Sequence, residues 1–331
     1  MSKYIKQYGL LLLVSLLLFS CKDKKSNAKP NVAGKAGELL IVMDDKIKQS
    51  EAGKELQRAV LELYLGLPQE EPHFDMLITP HRGFSSYFKT FRNLIVTDVS
   101  PNIKTDTIKY YRDYWARPQS MVRISAKDTV AMRQIVERHT MKMLSFFNRA
   151  ERERNIQYFK ATPNSELIDT IKKVWNVKLN IPANFKKRNT KPGITWLGED
   201  TEWGSQGFMV YEFPYIGEGT FSREYLLNKR DSILHKNIPG PSAGSYMTTE
   251  HKYPPVYKKT TINDIPVVEL RGLWKVQNDM MGGAFILHAH HDVANNRVVV
   301  TDGFVYSPEK PDKRDKIRQL EALMYTFNFL K

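Results

Sequence analysis

Unbroken apolar runs and helical periodicities alternate along the first half of the chain. Leu39-Leu40-Ile41-Val42-Met43 is a short apolar run closed by Asp44-Asp45, the pattern of a strand buried on both faces. Leu56, Ala59, Val60, Leu63, Tyr64 and Leu67 then recur at helical spacing up to Pro68, which predicts an amphipathic helix. Residues 74–79 read as a second strand, 84–91 as a short helix, 93–99 as a third strand, 110–115 as helical and 121–124 as a fourth strand. Ser125-Ala126-Lys127-Asp128 resembles a capping box with Ser125 as the cap. It opens a long helix with Met132, Ile135, Val136, His139, Met143, Phe146 and Phe147 on one side. Such alternation predicts a partly parallel sheet covered by helices.

A charged stretch over 151–163 ends at Pro163, and the pattern changes there. A helix over 165–174 leads into a strand over 177–181; after a loop come a strand over 207–213 and a helix over 222–234. Strand patterns follow at 247–253, 257–262, 267–274, 284–290 and 297–305, with Asn295-Asn296 as a turn that tolerates left-handed backbone angles. Ile317, Leu320, Met324 and Phe327 mark a closing helix that starts at Pro311 and Asp312. The expected fold is mixed α+β and α/β: residues 36–160 a strand–helix half with a partly parallel sheet, residues 161–331 a mainly antiparallel sheet flanked by helices.

The first 35 residues carry an address rather than a fold. Lys3 and Lys6 precede an apolar run over 10–19 broken only by Ser15, a length that suits a signal-peptide core better than a membrane span. Leu18-Phe19-Ser20-Cys21 resembles a lipobox: the small Ser20 precedes the scissile bond, and the Cys21 thiol takes the diacylglycerol. Residues 1–20 are therefore expected to be a lipoprotein signal peptide, and residues 21–35, with Lys22, Lys24, Lys25 and Lys29, a flexible tether. Cys21 is the only cysteine, which excludes an intrachain disulfide. Each buried acyl methylene contributes about 0.8 kcal/mol, so palmitate-type chains on Cys21 would hold the protein on a membrane. Lys22 stands where an aspartate would retain a lipoprotein in the inner membrane; this favours the outer membrane and leaves its face open.

Charge narrows the partners. The leader takes away two of the 50 basic residues and none of the 36 acidic ones, so a net charge of +14 becomes +12. Export makes nucleic acid an unsuitable partner; acidic lipid headgroups, lipopolysaccharide phosphates and acidic glycans remain. The charges are spread along the chain, as on a solvated face.

Few residues suggest chemistry. On a strand, His288 and His290 share a face while His291 takes the other, and two same-face imidazoles with Glu269 from the neighbouring strand would make a divalent metal site. Histidines beside a turn on an exposed strand end read the same way. Asp44 and Asp45 follow the first strand, where open α/β sheets bind ligands, and could hold a cation; surface acids there are ordinary. His139 reads as a core histidine, while His73 and His81 share no spacing rule. Gly34-Lys35-Ala36-Gly37 precedes a strand, so it is no phosphate loop, and Ser242 and Ser245 lack a nucleophile elbow. Trp203 and Trp274, among frequent aromatics of the second half, could contact a partner or build the core.

Gly37-Glu38-Leu39-Leu40-Ile41-Val42-Met43, Gly66-Leu67-Pro68-Gln69-Glu70-Glu71-Pro72, Arg92-Asn93, Arg271-Gly272-Leu273-Trp274, Met281-Gly282-Gly283-Ala284-Phe285 and Gly303-Phe304-Val305-Tyr306-Ser307-Pro308, with the lipobox, resemble a Bacteroidota lipoprotein family, domain of unknown function 4837. Ala284 stands where that pattern has proline. The resemblance implies a host in that phylum and an envelope location; it carries over no activity and no catalytic residue. The expectation is a non-catalytic binding or accessory module for an envelope protein or glycan. The alternative is an envelope hydrolase acting on peptidoglycan or glycan, using carboxylates or a metal at His288 and His290.

Overall fold

A computed structural model describes residues 28–310 and 312–330. The leader, Cys21 and the tether up to residue 27 lie outside the described residues. No described helix is long and apolar enough to cross a membrane.

The first half runs β1 (Glu38–Val42), α1 (Asp45–Gln49), α2 (Glu51–Val60), β2 (Asp75–Thr79), β3 (Asn93–Val99), β4 (Thr107–Arg112), β5 (Ser120–Ala126) and α3 (Thr129–Ala161). The sheet order is β2-β1-β3-β5-β4, parallel except for β4, which lies antiparallel on β5. Leu39, Ile41, Ile95, Val122 and Ile124 face α2 and α3, where Leu56, Met132, Val136 and Phe147 complete the core. Leu40, Val42, Leu94, Val96 and Met121 point to the opposite face, which loops cover through Phe84, Phe88, Phe91 and Trp115, joined by Tyr111 of β4. Both faces are covered, which is why β1 is apolar at every position from Leu39 on.

Four local expectations are corrected. The helix read through Leu67 stops at Val60. Tyr64 and Leu67 leave it to pack into the core of the second half, and the Tyr64 N–H donates to the Glu71 carbonyl instead of continuing helical bonds. Residues 110–115 are not helical: 107–112 form β4, where Tyr110 packs edge-on against Phe146 and Tyr111 turns to the other face. The long helix is capped by Asp128, whose carboxylate accepts the Ala131 N–H at 2.8 Å; Ser125 belongs to β5. The stretch 84–91 forms one short 3₁₀ turn, Phe88–Thr90, beside another at His81–Gly83, rather than a helix.

The second half comprises α4 (Ser165–Trp175), β6 (Val177–Lys178), β7 (Lys186–Lys191), β8 (Ile194–Thr201), β9 (Gly204–Pro214), α5 (Arg223–Asn237), β10 (Tyr246–Thr249), β11 (Val256–Ile262), β12 (Ile265–Gln277), β13 (Gly282–Asp292), β14 (Arg297–Tyr306), α6 (Lys313–Met324) and β15 (Asn328–Phe329). A curled antiparallel sheet has the order β10-β12-β13-β14-β9-β8-β7, and β11 pairs with the first part of β12. Lys186 to Lys191 is polar throughout, so the sequence predicts a loop where the β7–β8 hairpin forms. Ala284, Ile286, Val299 and Val305 face α4 and α6; Phe285, Leu287, Val298 and Val300 face α5.

Three devices join the halves. The 33-residue α3 puts Met143 and Phe147 into the first core and Phe159 into the second. Glu71 accepts the Lys313 and Arg314 N–H groups at the start of α6, both at 3.1 Å. Arg314 pairs with Asp75, and Arg318 donates to the His73 carbonyl and to Asn148 at 2.6 Å.

Candidate functional site at the junction of the halves

On β12, Glu269 and Arg271 are two residues apart on the sheet face that looks toward α3 and α6. The Arg271 guanidinium donates to Glu269 at 2.7 Å, to Glu321 of α6 at 2.9 Å and to the Tyr64 hydroxyl at 2.9 Å. Arg152 of α3 also reaches Glu321, at 3.3 Å, and lies 3.7 Å from the centroid of the Tyr325 ring. His288, opposite Glu269 in the β12–β13 register, meets its carboxylate at 3.0 Å. Two carboxylates thus share two guanidiniums and an imidazole beneath a cleft of about 380 Å³ between the halves.

The environment moves these groups away from neutrality. Burial pulls the Glu269 carboxyl upward, but the Arg271 charge and the bonds from His288 and Arg271 outweigh it and hold it below the ordinary range. Glu321 is lowered in the same way: burial opposes, and Arg271 and Arg152 prevail. Burial pushes the Tyr64 hydroxyl up to about 12. Burial, with the nearby Arg318 charge, lowers His73 to about 4. Four exposed aliphatic side chains stand on the rim of the cleft, Leu63, Leu65, Met141 and Val256, at 44%, 60%, 72% and 41% exposure, interspersed with exposed Glu62, Ser145, Arg149 and Lys258.

The expected site residues fall in different places. His288 and His290 do share a face, but both are buried against Tyr325 and Phe327, just after α6, rather than placed at an exposed strand end. His290 stacks on Phe327 with ring centroids 3.8 Å apart, and burial holds it well below the usual histidine range. Glu269 spends its oxygens on Arg271 and His288, so the charge its carboxylate faces is a guanidinium. Among the described residues no group of three or more His, Cys, Asp or Glu is arranged to hold a metal. Trp274 is corrected as a contact residue: it is 2% exposed, packs against Phe304 and donates its indole N–H to the Val305 carbonyl. Trp203, in the β8–β9 turn, is exposed with the Lys310 ammonium 3.7 Å from its ring centroid. Asp44 accepts the His81 N–H at 2.8 Å beyond the end of β1, and His139 is half-buried on α3.

The sequence assigns Tyr64, Arg152, Arg271 and Glu321 no place in a site, and gives His73 no partner. One signal lies in the sequence: two charges at period two, Glu269 and Arg271, inside the otherwise apolar run 265–274. Such charges are kept only when paired.

The chain matches families of unknown function in both halves. Residues 164–326 match the family model for a domain of unknown function, DUF4837. Residues 32–160 match that of another, DUF8532. The DUF4837 region supplies Arg271, Glu269, His288 and Glu321; the DUF8532 region supplies Tyr64, His73 and Arg152, so the cleft is built from both. No curated protein matches the sequence. Among solved structures, the Ran-binding protein Mog1p of Saccharomyces cerevisiae is similar at 11% identity over 47% of this chain and 91% of that one, with a TM-score of 0.32. A protein of Bacteroides thetaiotaomicron is similar at 11% identity over 47% and 46%, with a TM-score of 0.25. Human STARD10 is similar at 7% identity over 49% and 80%, with a TM-score of 0.24. Likeness at this level carries no functional weight.

Proposed function

We propose that this chain is a lipid-anchored cell-envelope protein of a Bacteroidota lipoprotein family, held on the outer membrane through Cys21, and that it is a non-catalytic module binding a segment of another envelope protein in the junction cleft. The observation that carries the reading is the set of exposed aliphatic side chains on the rim above a floor whose charges are already paired. Leu63, Leu65, Met141 and Val256 hold apolar surface in water around one concavity, where a partner's apolar side chains would release it. General acid–base chemistry works best with a group that titrates near the operating pH. The shifted groups of this cleft lie elsewhere: Glu269 and Glu321 are lowered, Tyr64 is raised to about 12 and His73 is lowered to about 4. Exposed aliphatic groups interspersed with Glu62, Arg149 and Lys258 suit the mixed side chains of a protein segment better than a glycan, since the rings in the cleft, Tyr64 and His73, are withdrawn from its rim.

The test is site-specific photocrosslinking in intact cells, with the crosslinking residue at Leu65, at Met141 or, as a control, at the fully exposed Met280 of the β12–β13 turn. One envelope protein captured from Leu65 and Met141 but not from Met280 is the expected result. Folded, lipidated protein that captures nothing from either cleft position overturns the reading.

A further inference from the structure

The first sheet presents its two faces differently. Helices α2 and α3 cover one face, but aromatics from loops and from Tyr111 of β4 cover the other, with no helix over it. Tyr111, Tyr114, Trp115 and Phe84 form a chain of edge-on rings with centroids 5.1, 4.6 and 5.5 Å apart. Tyr87 packs on Phe88 and Phe91 beside them. The outer members, Tyr87 at 60% and Tyr114 at 42% exposure, stand in water; the loops that carry the rings also carry exposed Arg82 and Arg117, the latter paired with Asp113 at 3.4 Å, and the Lys89 ammonium lies 6.0 Å from the Phe84 ring centroid.

The amino-terminal segment runs along this same face. Val32 donates to the Arg117 carbonyl at 3.2 Å, Arg117 donates to the Pro30 carbonyl at 2.8 Å, and Ala33 donates to the Thr90 carbonyl at 2.8 Å. The Lys29 ammonium bonds the Asp113 carbonyl. Seven residues lead from Cys21 to Ala28, a reach of about 25 Å even when fully extended. An acyl anchor on Cys21 therefore keeps this face within that distance of the bilayer. The connecting sequence adds Lys22, Lys24 and Lys25 against a single Asp23.

Tyrosine and tryptophan settle at the headgroup level because one end of the ring system is apolar and the other polar, and lysine and arginine are drawn to anionic lipid. From the exit point of the chain, the ring cluster and the cations on the same loops we infer that the Tyr87–Tyr114 face is a membrane-contact surface that lies on anionic phospholipid headgroups. Contact there would add a second attachment to the acyl chains and fix the orientation of the protein. This inference rests on the lipid anchor of the proposed function.

The test uses the mature lipoprotein in vesicles of phosphatidylethanolamine and phosphatidylglycerol that contain a photoactivatable phospholipid. Labelled peptides are mapped by mass spectrometry, and the mass of the Cys21 peptide reports the anchor separately. Peptides bearing Tyr87 and Tyr114 should label several-fold above those of α5. Labelling should fall several-fold when phosphatidylcholine replaces phosphatidylglycerol, and likewise in the Arg82→Glu, Arg117→Glu double variant. A lipidated Cys21 with Tyr87 and Tyr114 labelled no more than α5 overturns the surface. Labelling unchanged on phosphatidylcholine overturns its preference for anionic lipid. Labelled tyrosines with an unmodified Cys21 uphold the surface and remove the anchor; neither signal overturns both.

Discussion

The Glu71 carboxylate accepts the backbone N–H of Arg314, 243 positions further along the chain, at 3.1 Å. A side chain from one half thereby caps a helix of the other, and its second oxygen takes the Lys313 N–H. Glu71→Ala leaves two buried donors without an acceptor, so we expect a loss of about 1–3 kcal/mol in urea unfolding. Glu71→Gln, which keeps one carbonyl acceptor, should lose less. Equal stability of all three proteins would show that the cap does not hold the halves together.

Stability should depend on pH between about 4 and 6.5. His73 is lowered to about 4 by burial and the Arg318 charge, and buried His290 is lowered as well. In the unfolded chain both titrate near about 6.5, so within this window the unfolded state binds more protons. Unfolding free energy should therefore fall as pH drops through the window. For His73 the decline should level off below about 4. His73→Gln should reduce the slope by about one proton without abolishing it. An unchanged slope, from urea midpoints at several pH values, would place His73 in water.

Arg230 of α5 and Asp302 of β14 form an ion pair at 2.8 Å with both side chains 0% exposed. Arg230 also donates to Thr249 at 3.0 Å and lies 3.8 Å from the Phe285 ring centroid. Arg230→Met strands a buried carboxylate and should cost about 3–5 kcal/mol. The double variant Arg230→Met, Asp302→Leu should recover part of that loss, read as the coupling in a double-mutant cycle.

Gly283 faces Trp274 across the β12–β13 register. A β-carbon there would come within 2.0 Å of the Val305 carbonyl oxygen that accepts the Trp274 indole N–H. Gly283→Ala should cost about 1–3 kcal/mol through overpacking and shift tryptophan emission to the red. An unshifted spectrum with full stability would mean that the strands separate without cost.

Leu65→Ser and Met141→Ser remove exposed apolar groups, so each should change stability by no more than about 0.5 kcal/mol. Each should nevertheless abolish capture of the cleft partner. Loss of stability together with capture would make these residues structural.

By itself the sequence determined the strands with simple patterns and the helices with strong periodicity. β1, β3 and β5 are buried on both faces, so composition alone marks them. α4 repeats Leu167, Ile171 and Trp175 along one buried side, a local property of the chain. Tertiary structure decided whatever depended on distant partners. Leu63, Tyr64 and Leu67 fit a helical period, yet Tyr64 and Leu67 are drawn into the other half's core. Residues 107–112 become an edge strand because β5 offers a free edge and Phe146 a ring to pack on. Trp274 is buried because Gly283 leaves room for its indole. The cleft was least legible, because Tyr64, Arg152, Arg271 and Glu321 are scattered along the chain. Their pairing energy exists only once β12, α3 and α6 have packed, and no local pattern encodes that distance.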